Sequence, residues 1–383
     1  MKHAAAGFGL YVHWPFCAAK CPYCDFNSHV VGSVDHERWR RALIREMRSV
    51  AELTDPAPLT SIFLGGGTPS LMAPETVGAI IDEAARLWTL EGGAEITLEA
   101  NPTSAEAAKF AAFRAAGVNR VSVGLQALDD RDLRRLGRQH DAAEGIAAVT
   151  MARRVMDRVS FDVIYARQDQ TEADWRDELA RILDLGPDHL SLYQLTIEDG
   201  TVFGRRQAAG RLPGLPDDDR ACAMFEITQQ MCRVAGLPRY ETSNHAAPGS
   251  ECRHNLIYWR GGSFAAVGPG AHGRLEADGT RFATRTRTDP AAWLAAVEAE
   301  GAGFIECRPL SATDTAEEYL LMSLRLTEGC DLERHAALGG APIDTARIEV
   351  LVESGHLRMT GRRIACTDRG MLVLDHLLGQ LAA

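Results

Sequence analysis

The sequence predicts an α/β protein: a partial (β/α)6 barrel followed by a mostly helical C-terminal module. Three observations predict it. Six short runs rich in β-branched residues alternate with stretches of helical spacing through the first half of the chain, which implies a parallel sheet with helices on its outer face. Polar and glycine-rich residues gather just after those runs, where a barrel of this kind places its ligands. The composition then changes near residue 200 and again near residue 306.

The strand-like runs are 10–14, 61–64, 95–99, 120–125, 158–165 and 189–195. Helical spacing fills the intervals at 38–53, 75–88, 142–155 and 171–185. In the second of these, Val77, Ile80, Ile81, Ala84, Leu87 and Trp88 share one face. Thr103-Ser104-Ala105-Glu106 reads as a capping box that opens a further helix through Phe110, Phe113 and Arg114 to a stop at Gly117. Beyond the barrel, 201–216 is punctuated by Gly and Pro, 217–235 reads as a helix, and 238–285 is rich in Gly, Asn, His and aromatic residues. Helices at 316–326 and 343–354, a hairpin at 356–367 and a last helix at 371–378 give the C-terminal module a winged-helix-like order. The expected divisions are thus 1–235, 236–305 and 306–383.

Composition bounds the function. Hydrophobic residues at 46% and charged residues at 24% are those of a globular chain, and a net charge of −11 argues against a nucleic-acid backbone as partner. No apolar run approaches the roughly 20 residues that span a bilayer, and the first residues lack the apolar stretch of a secretion signal, so a cytoplasmic protein is expected. Six of the nine cysteines (Cys222, Cys232, Cys252, Cys307, Cys330 and Cys366) are scattered and read as small buried side chains.

The other three are not scattered. Cys17, Cys21 and Cys24 stand in CAAKCPYC, on the loop after the first strand. Three thiolates can each hold one iron of a [4Fe–4S] cube, leaving a fourth iron for a small chelating molecule. A zinc site using His13 or His29 as a fourth ligand is the plainer alternative, although structural zinc sites usually pair two such hooks and no second one exists. Buried structural thiols are a third reading, opposed by the polar Lys20, Pro22, Tyr23 and Asp25 around them.

CAAKCPYC resembles the CxxxCxxC signature of radical S-adenosylmethionine (SAM) enzymes. That resemblance implies a [4Fe–4S] cluster whose open iron is chelated by the amino and carboxylate groups of SAM, and which can cleave SAM to a 5′-deoxyadenosyl radical. The later strand ends extend it. FLGGGTPS after the second strand lets the backbone approach a ligand and offer its N–H groups, and it is similar to the GGxTP motif of that family at Gly66, Gly67 and Thr68. LEANP ends the third strand with Glu99, the fourth ends at Gln126 with Arg138 twelve residues on, and the fifth carries Asp162. The whole resembles the coproporphyrinogen III dehydrogenase and HemW branch of the superfamily. The resemblance implies SAM contacts at Tyr11, Gly66, Gly67, Thr68, Glu99, Gln126, Arg138, Asp162 and Gln194. One departure stands out: IYARQDQT at 164–171 replaces the more usual IYGLPGQT, and a different path is expected for that loop.

Within that branch, Phe26 falls where the dehydrogenase carries a fourth cysteine, and only nine residues precede the first strand. CRHNLIYW at 252–259 resembles the HNxxYW motif, which implies a haem b site with His254 as ligand, and with Cys252, His245 and His272 in reserve. A neutral imidazole beside flat Tyr and Trp rings suits a porphyrin. The resemblance therefore implies a haem carrier that delivers to apo-haemoproteins such as membrane-bound respiratory subunits, docking at the inner membrane face. Cluster and SAM would then serve assembly, homodimerisation or redox-gated release. The competing expectation is oxygen-independent coproporphyrinogen III oxidase, which uses the radical for oxidative decarboxylation.

Overall fold

A computed structural model describes residues 6–382, the side chains of Ser104 and Ala105 excepted, so residues 1–5 of the first expected division lie outside it. Six strands pair in parallel in chain order: β1 (Phe8–Trp14), β2 (Leu59–Gly66), β3 (Leu90–Ala100), β4 (Arg120–Gln126), β5 (Arg158–Tyr165) and β6 (His189–Gln194). Residues 236–305, set apart by composition, are built into the same sheet. β7 (Asn244–Ala246) runs antiparallel to β6, and β8 (Ser263–Val267) is parallel to β1 on its other side. β9 (His272–Ala277), β10 (Thr280–Thr286) and β11 (Phe304–Pro309) continue antiparallel beyond β8. The eleven-stranded sheet is open, with β11 and β7 at its edges.

Side chains alternate across a strand, and here the alternation separates chemistry. Val12, Ile62, Leu98, Val121, Val123, Phe161, Val163 and Leu190 face outward into a continuous apolar core under the helices. The alternate positions are polar and meet across the inner face: Ser122 and Ser160 hydroxyls lie 2.7 Å apart, and Arg120 donates to Thr97 at 3.4 Å. Trp39, on the helix His36–Ala51, packs edge-on to Phe16 at 4.8 Å and stacks on Trp293 at 5.1 Å. Truncating such a ring costs about 3–5 kcal/mol, so this contact ties the first helix to the extension beyond β8.

The helix expected from the 103–106 capping box is broken into Ser104–Ala107 and Phe110–Ala115. Thr103 still accepts from the Glu106 N–H at 3.3 Å, but the Glu106 carboxylate turns to Ser70 and to the Asn101 N–H. The C-terminal module has its own core around Leu320, Leu351, Ile364 and Leu377. Its order of helix Ala312–Ser323, strand Cys330–Asp331, helices Leu332–Ala337 and Thr345–Glu353, and hairpin Leu357–Thr360 with Arg363–Cys366 is that of a winged helix.

Candidate functional site

The C-terminal ends of all six parallel strands, or the loops that follow them, converge on one cavity of about 380 Å³, which shows that the sheet curls around it. Its wall includes Cys17, Cys21 and Cys24 together with Gly66, Gly67, Thr68, Glu99, Gln126, Arg138, Asp162 and Gln194. The three thiols are half-buried and each meets a donor. Thr68 Oγ1 lies 3.4 Å from Cys17 Sγ, an Arg138 nitrogen 3.5 Å from Cys21 Sγ, and Ser28 Oγ 3.9 Å from Cys24 Sγ. Burial pushes the Cys17 and Cys24 thiols up, and the neighbouring cysteines add to it. Three thiolates crowded this way call for metal charge among them, with Thr68, Ser28 and Arg138 as donors to sulfur. His13 does not complete a zinc set: its Nε2–H donates to the Asn27 carbonyl at 2.9 Å and its Nδ1 accepts from Tyr11 at 2.9 Å. Among the described residues, no three His, Cys, Asp or Glu side chains are arranged around a single ion.

Opposite the thiols stand two acids. Burial raises Glu99 to about 8, Asp162 adds to the rise, and the Gly66 N–H at 3.1 Å opposes it. Asp162 is raised by burial too, against hydroxyl donors from Ser191 and Ser122. Two carboxyls held above their ordinary range in an open cavity are a poor home for an anion and a good one for a cation, which fits the ammonium and sulfonium of SAM. The glycine loop supports this differently from expectation. Its N–H groups are spent within the protein, Gly67 on the Trp14 carbonyl at 2.7 Å and Thr68 on that of Phe16 at 2.9 Å. Its polar contribution to a ligand is therefore carbonyl oxygen. A Cβ on Gly67 would stand 2.7 Å from the Phe16 carbonyl, so the position admits only glycine.

Gln126 is 9% exposed and sits at φ 65 after a break in register between β4 and β5. A non-glycine residue held there is strained, and the bulge turns it toward the cavity. The loop at 164–171 also corrects its expectation. Ala166 (φ 58) and Asp169 (φ 61) hold left-handed conformations at the two positions where the more usual motif has glycine. What differs is underneath: buried Arg167 pairs with Asp132 at 3.0 Å and Glu178 at 2.5 Å, tying this loop to the helix Asp130–Arg135 that leads to Arg138.

Tyr11, His254 and the three reserve candidates lie away from the cavity. Tyr11 stands behind it, its hydroxyl on His13. His254 is 1% exposed on the short helix Arg253–Trp259, its Nδ1 2.8 Å from Ser61 Oγ and its Nε2 2.6 Å from the Tyr258 hydroxyl. Ser61 is near the start of β2, so His254 plugs the end of the barrel remote from the cysteines. Burial lowers it to about 3, and with both ring nitrogens engaged it presents no lone pair to a metal. Cys252 and His245 are also 1% exposed, and burial pushes the Cys252 thiol up to about 12. His272 is exposed at the start of β9.

Sequence reasoning missed Asn101. It bridges the site, accepting from Arg138 at 2.6 Å and donating to Thr68 Oγ1 at 3.1 Å, so Arg138, Asn101, Thr68 and Cys17 form one chain of contacts. Its place two residues after Glu99, just beyond β3, was the available signal.

Comparisons with known proteins agree with this placement. The Radical SAM superfamily model matches residues 11–182 and the HemN C-terminal domain model residues 310–373. The chain is 39% identical over 388 residues to "Radical S-adenosyl methionine domain-containing protein 1, mitochondrial" of Mus musculus, covering 98% of this chain and 88% of the relative. It is 36% identical over 374 residues to "Heme chaperone HemW" of Escherichia coli strain K12, covering 96% of each. The protein of the same name from Mycobacterium tuberculosis is 36% identical over 379 residues, with 98% and 94% covered. A solved structure described as "Coproporphyrinogen III oxidase (HemN) from Escherichia coli is a Radical SAM enzyme" superposes with a TM-score of 0.82 at 20% identity, covering 98% of this chain and 90% of that one. At that identity it speaks for the fold.

Proposed function

The chain belongs to the HemW family of haem chaperones within the radical SAM superfamily, and from that premise we propose that it binds haem b and delivers it to apo-haemoproteins, membrane-bound respiratory subunits among them. The observation that carries this reading is the 36% identity to "Heme chaperone HemW" across 96% of both chains. Phe26 supports it from the site, occupying the rim of the cavity where the dehydrogenase would have a further thiol. No helix among the described residues is long and apolar enough to cross a membrane, so delivery to a membrane subunit would take place by docking.

Membership of the superfamily implies a [4Fe–4S] cluster and SAM. Cys17, Cys21 and Cys24 would hold the cluster. SAM would meet Glu99, Asp162, Gln126 and the Gly66-Gly67-Thr68 loop, with Gln194 at the outer edge. When bound and reduced, the cluster would supply one electron to SAM at the cavity. The protein's own part is to keep Arg138 on Cys21 through Asn101, to set two carboxyls against a cationic ligand, and to shape the rim on which cargo is exchanged.

The test is anaerobic. Cluster-reconstituted protein is incubated with coproporphyrinogen III, SAM and reductant while haem is titrated in parallel. Stoichiometric haem uptake without porphyrinogen turnover, followed by transfer to an apo-haemoprotein, is the expected result. Turnover to protoporphyrinogen IX with consumption of SAM would replace the carrier reading with the oxidase.

A further inference from the structure

His254 cannot meet haem iron in this conformation, which leaves open where a haem would be held. We propose that haem docks on the rim of the cavity at residues 26–31, with His29 facing the iron, an inference that rests on the haem-carrier reading. Phe26, Val30 and Val31 are 57%, 55% and 44% exposed, three large apolar side chains within six residues. Such clustering on a surface marks a binding face more often than a solvated one. The run is firmly placed: Phe16–Cys17 pairs with His29–Val30, the His29 N–H donates to the Pro15 carbonyl at 2.7 Å, and the Ser28 N–H to that of Phe26 at 2.7 Å.

The hydrogen bonds fix the tautomer of His29. Asn27 Nδ2 donates to the Pro269 carbonyl at 2.9 Å and the Thr288 carbonyl at 2.9 Å. Carbonyl oxygens only accept, so the amide cannot be turned over and Asn27 Oδ1 must face His29 Nε2, 3.0 Å away. That oxygen also only accepts. Nε2 therefore carries the proton, and Nδ1 carries the lone pair. Nδ1 has no hydrogen-bond partner among the described residues and is not among the buried orphan atoms, so it reaches the surface.

A histidine that donates one ring N–H to a fixed carbonyl and presents the other nitrogen bare is in the state a metal ligand requires. Around it lies what a metalloporphyrin needs besides iron ligation. Phe26 and Val31 offer apolar area for the macrocycle, with Val30 on the opposite side of the strand that it shares with His29. Lys20, exposed and held by its Nζ 3.1 Å from the Ser28 carbonyl, places a cation beside that area for a propionate. Phe26 also lines the cavity, so the docking face is continuous with the cysteine site. Because Nδ1 adjoins its own Cβ, a porphyrin seated there is crowded by the chain and held more weakly than through Nε2. Loose ligation suits a carrier that must release its cargo.

The experiment uses the full chain with its cluster reconstituted, titrated with ferric haem and followed by the Soret and ligand-field bands. His29→Ala is expected to weaken haem binding at least about tenfold and to change the ligand-field bands, with added imidazole restoring them. Imidazole rescue separates a lost ligand from a loosened loop. The surface pair Val30→Ser with Val31→Ser is expected to weaken uptake while keeping the wild-type ligand-field bands. Wild-type affinity and bands in both variants would overturn the site, as would loss of the bands in His254→Ala or His272→Ala with His29→Ala intact. No haem uptake by the wild type would overturn the carrier reading itself.

Discussion

The two ends of the barrel are built from the same residue types and behave oppositely. At the end carrying the cysteines, Glu99 and Asp162 face a cavity with no arginine in ion-pair contact with them among the described residues, and both are raised above the ordinary carboxylate range. At the remote end, Glu95 is 4% exposed and closed in by donors: Arg158 at 2.8 Å, the Arg253 N–H at 2.9 Å, the Cys252 thiol at 3.5 Å, and Arg120 at 3.9 Å. His254 belongs to this second end, saturated by Ser61 and Tyr258. Ionisable side chains on an inner face thus do not by themselves make a site. What marks one is an ionisable group left without a counter-charge beside open space, its proton held above the ordinary range.

The largest expected effects divide the cysteines. Replacing any one of Cys17, Cys21 or Cys24 by Ala should abolish stable cluster incorporation, read as iron content and visible absorbance after anaerobic reconstitution. Cys252→Ala should leave both unchanged, since that thiol is a neutral donor to Glu95 at the closed end. Equal iron in Cys24→Ala and wild type would break the comparison at its root.

The acids should divide next. Glu95→Gln leaves buried Arg120 and half-buried Arg158 against a neutral group, and breaking a buried ion pair in this way costs about 3–5 kcal/mol. Glu99→Gln resembles the protonated acid already favoured there and should shift stability by no more than about 0.5 kcal/mol. Denaturant midpoints of the two variants decide it; a Glu99→Gln chain as unstable as Glu95→Gln would mean that the open end is structural as well.

The sequence shows this contrast only in part, and the reasons are physical. The six parallel strands were legible because β-branched and aromatic residues on one face alternate with polar ones on the other, as in Arg120–Gln126. The cavity residues were legible because strand ends recur at regular places along the chain. The extension through β9 and β10 was not recognised, although Asp278 and Gly279, at φ 50 and 73, make the Asp-Gly hairpin turn that alternation on both sides announces. The direction of His254 was not legible at all. It depends on Ser61, 193 positions away, which no local pattern reports.

Glu46 is a buried acid of an intermediate kind, enclosed and met, among the described residues, by neutral donors: the Gly268 and Gly303 N–H groups at 2.7 Å and the Trp293 indole at 3.0 Å. Burial raises it to about 7, against those three donors. A raised folded value means that the native state binds the proton more tightly than the unfolded chain, so Glu46's own contribution to stability is fully present below about 4.5 and is lost as pH rises through about 7. The full shift corresponds to roughly 3 kcal/mol. Denaturation of wild type and Glu46→Gln across that window should show the decline in the former and a flatter profile in the latter.

Glu99 turns the same physics into ligand binding. With its folded value near 8, the carboxyl is mostly protonated at neutral pH, and a cationic ligand seated against it must expel the proton. SAM affinity should therefore rise with pH, by up to about tenfold per unit below that value, and level off above it. Calorimetry in two buffers of different ionisation heat should show a proton released on binding to wild type and none on binding to Glu99→Gln. The ammonium of the ligand titrates in both proteins and cancels in the comparison. An unchanged slope in Glu99→Gln would assign the proton to Asp162, the other raised acid, and would separate the two carboxyls that the open end sets side by side.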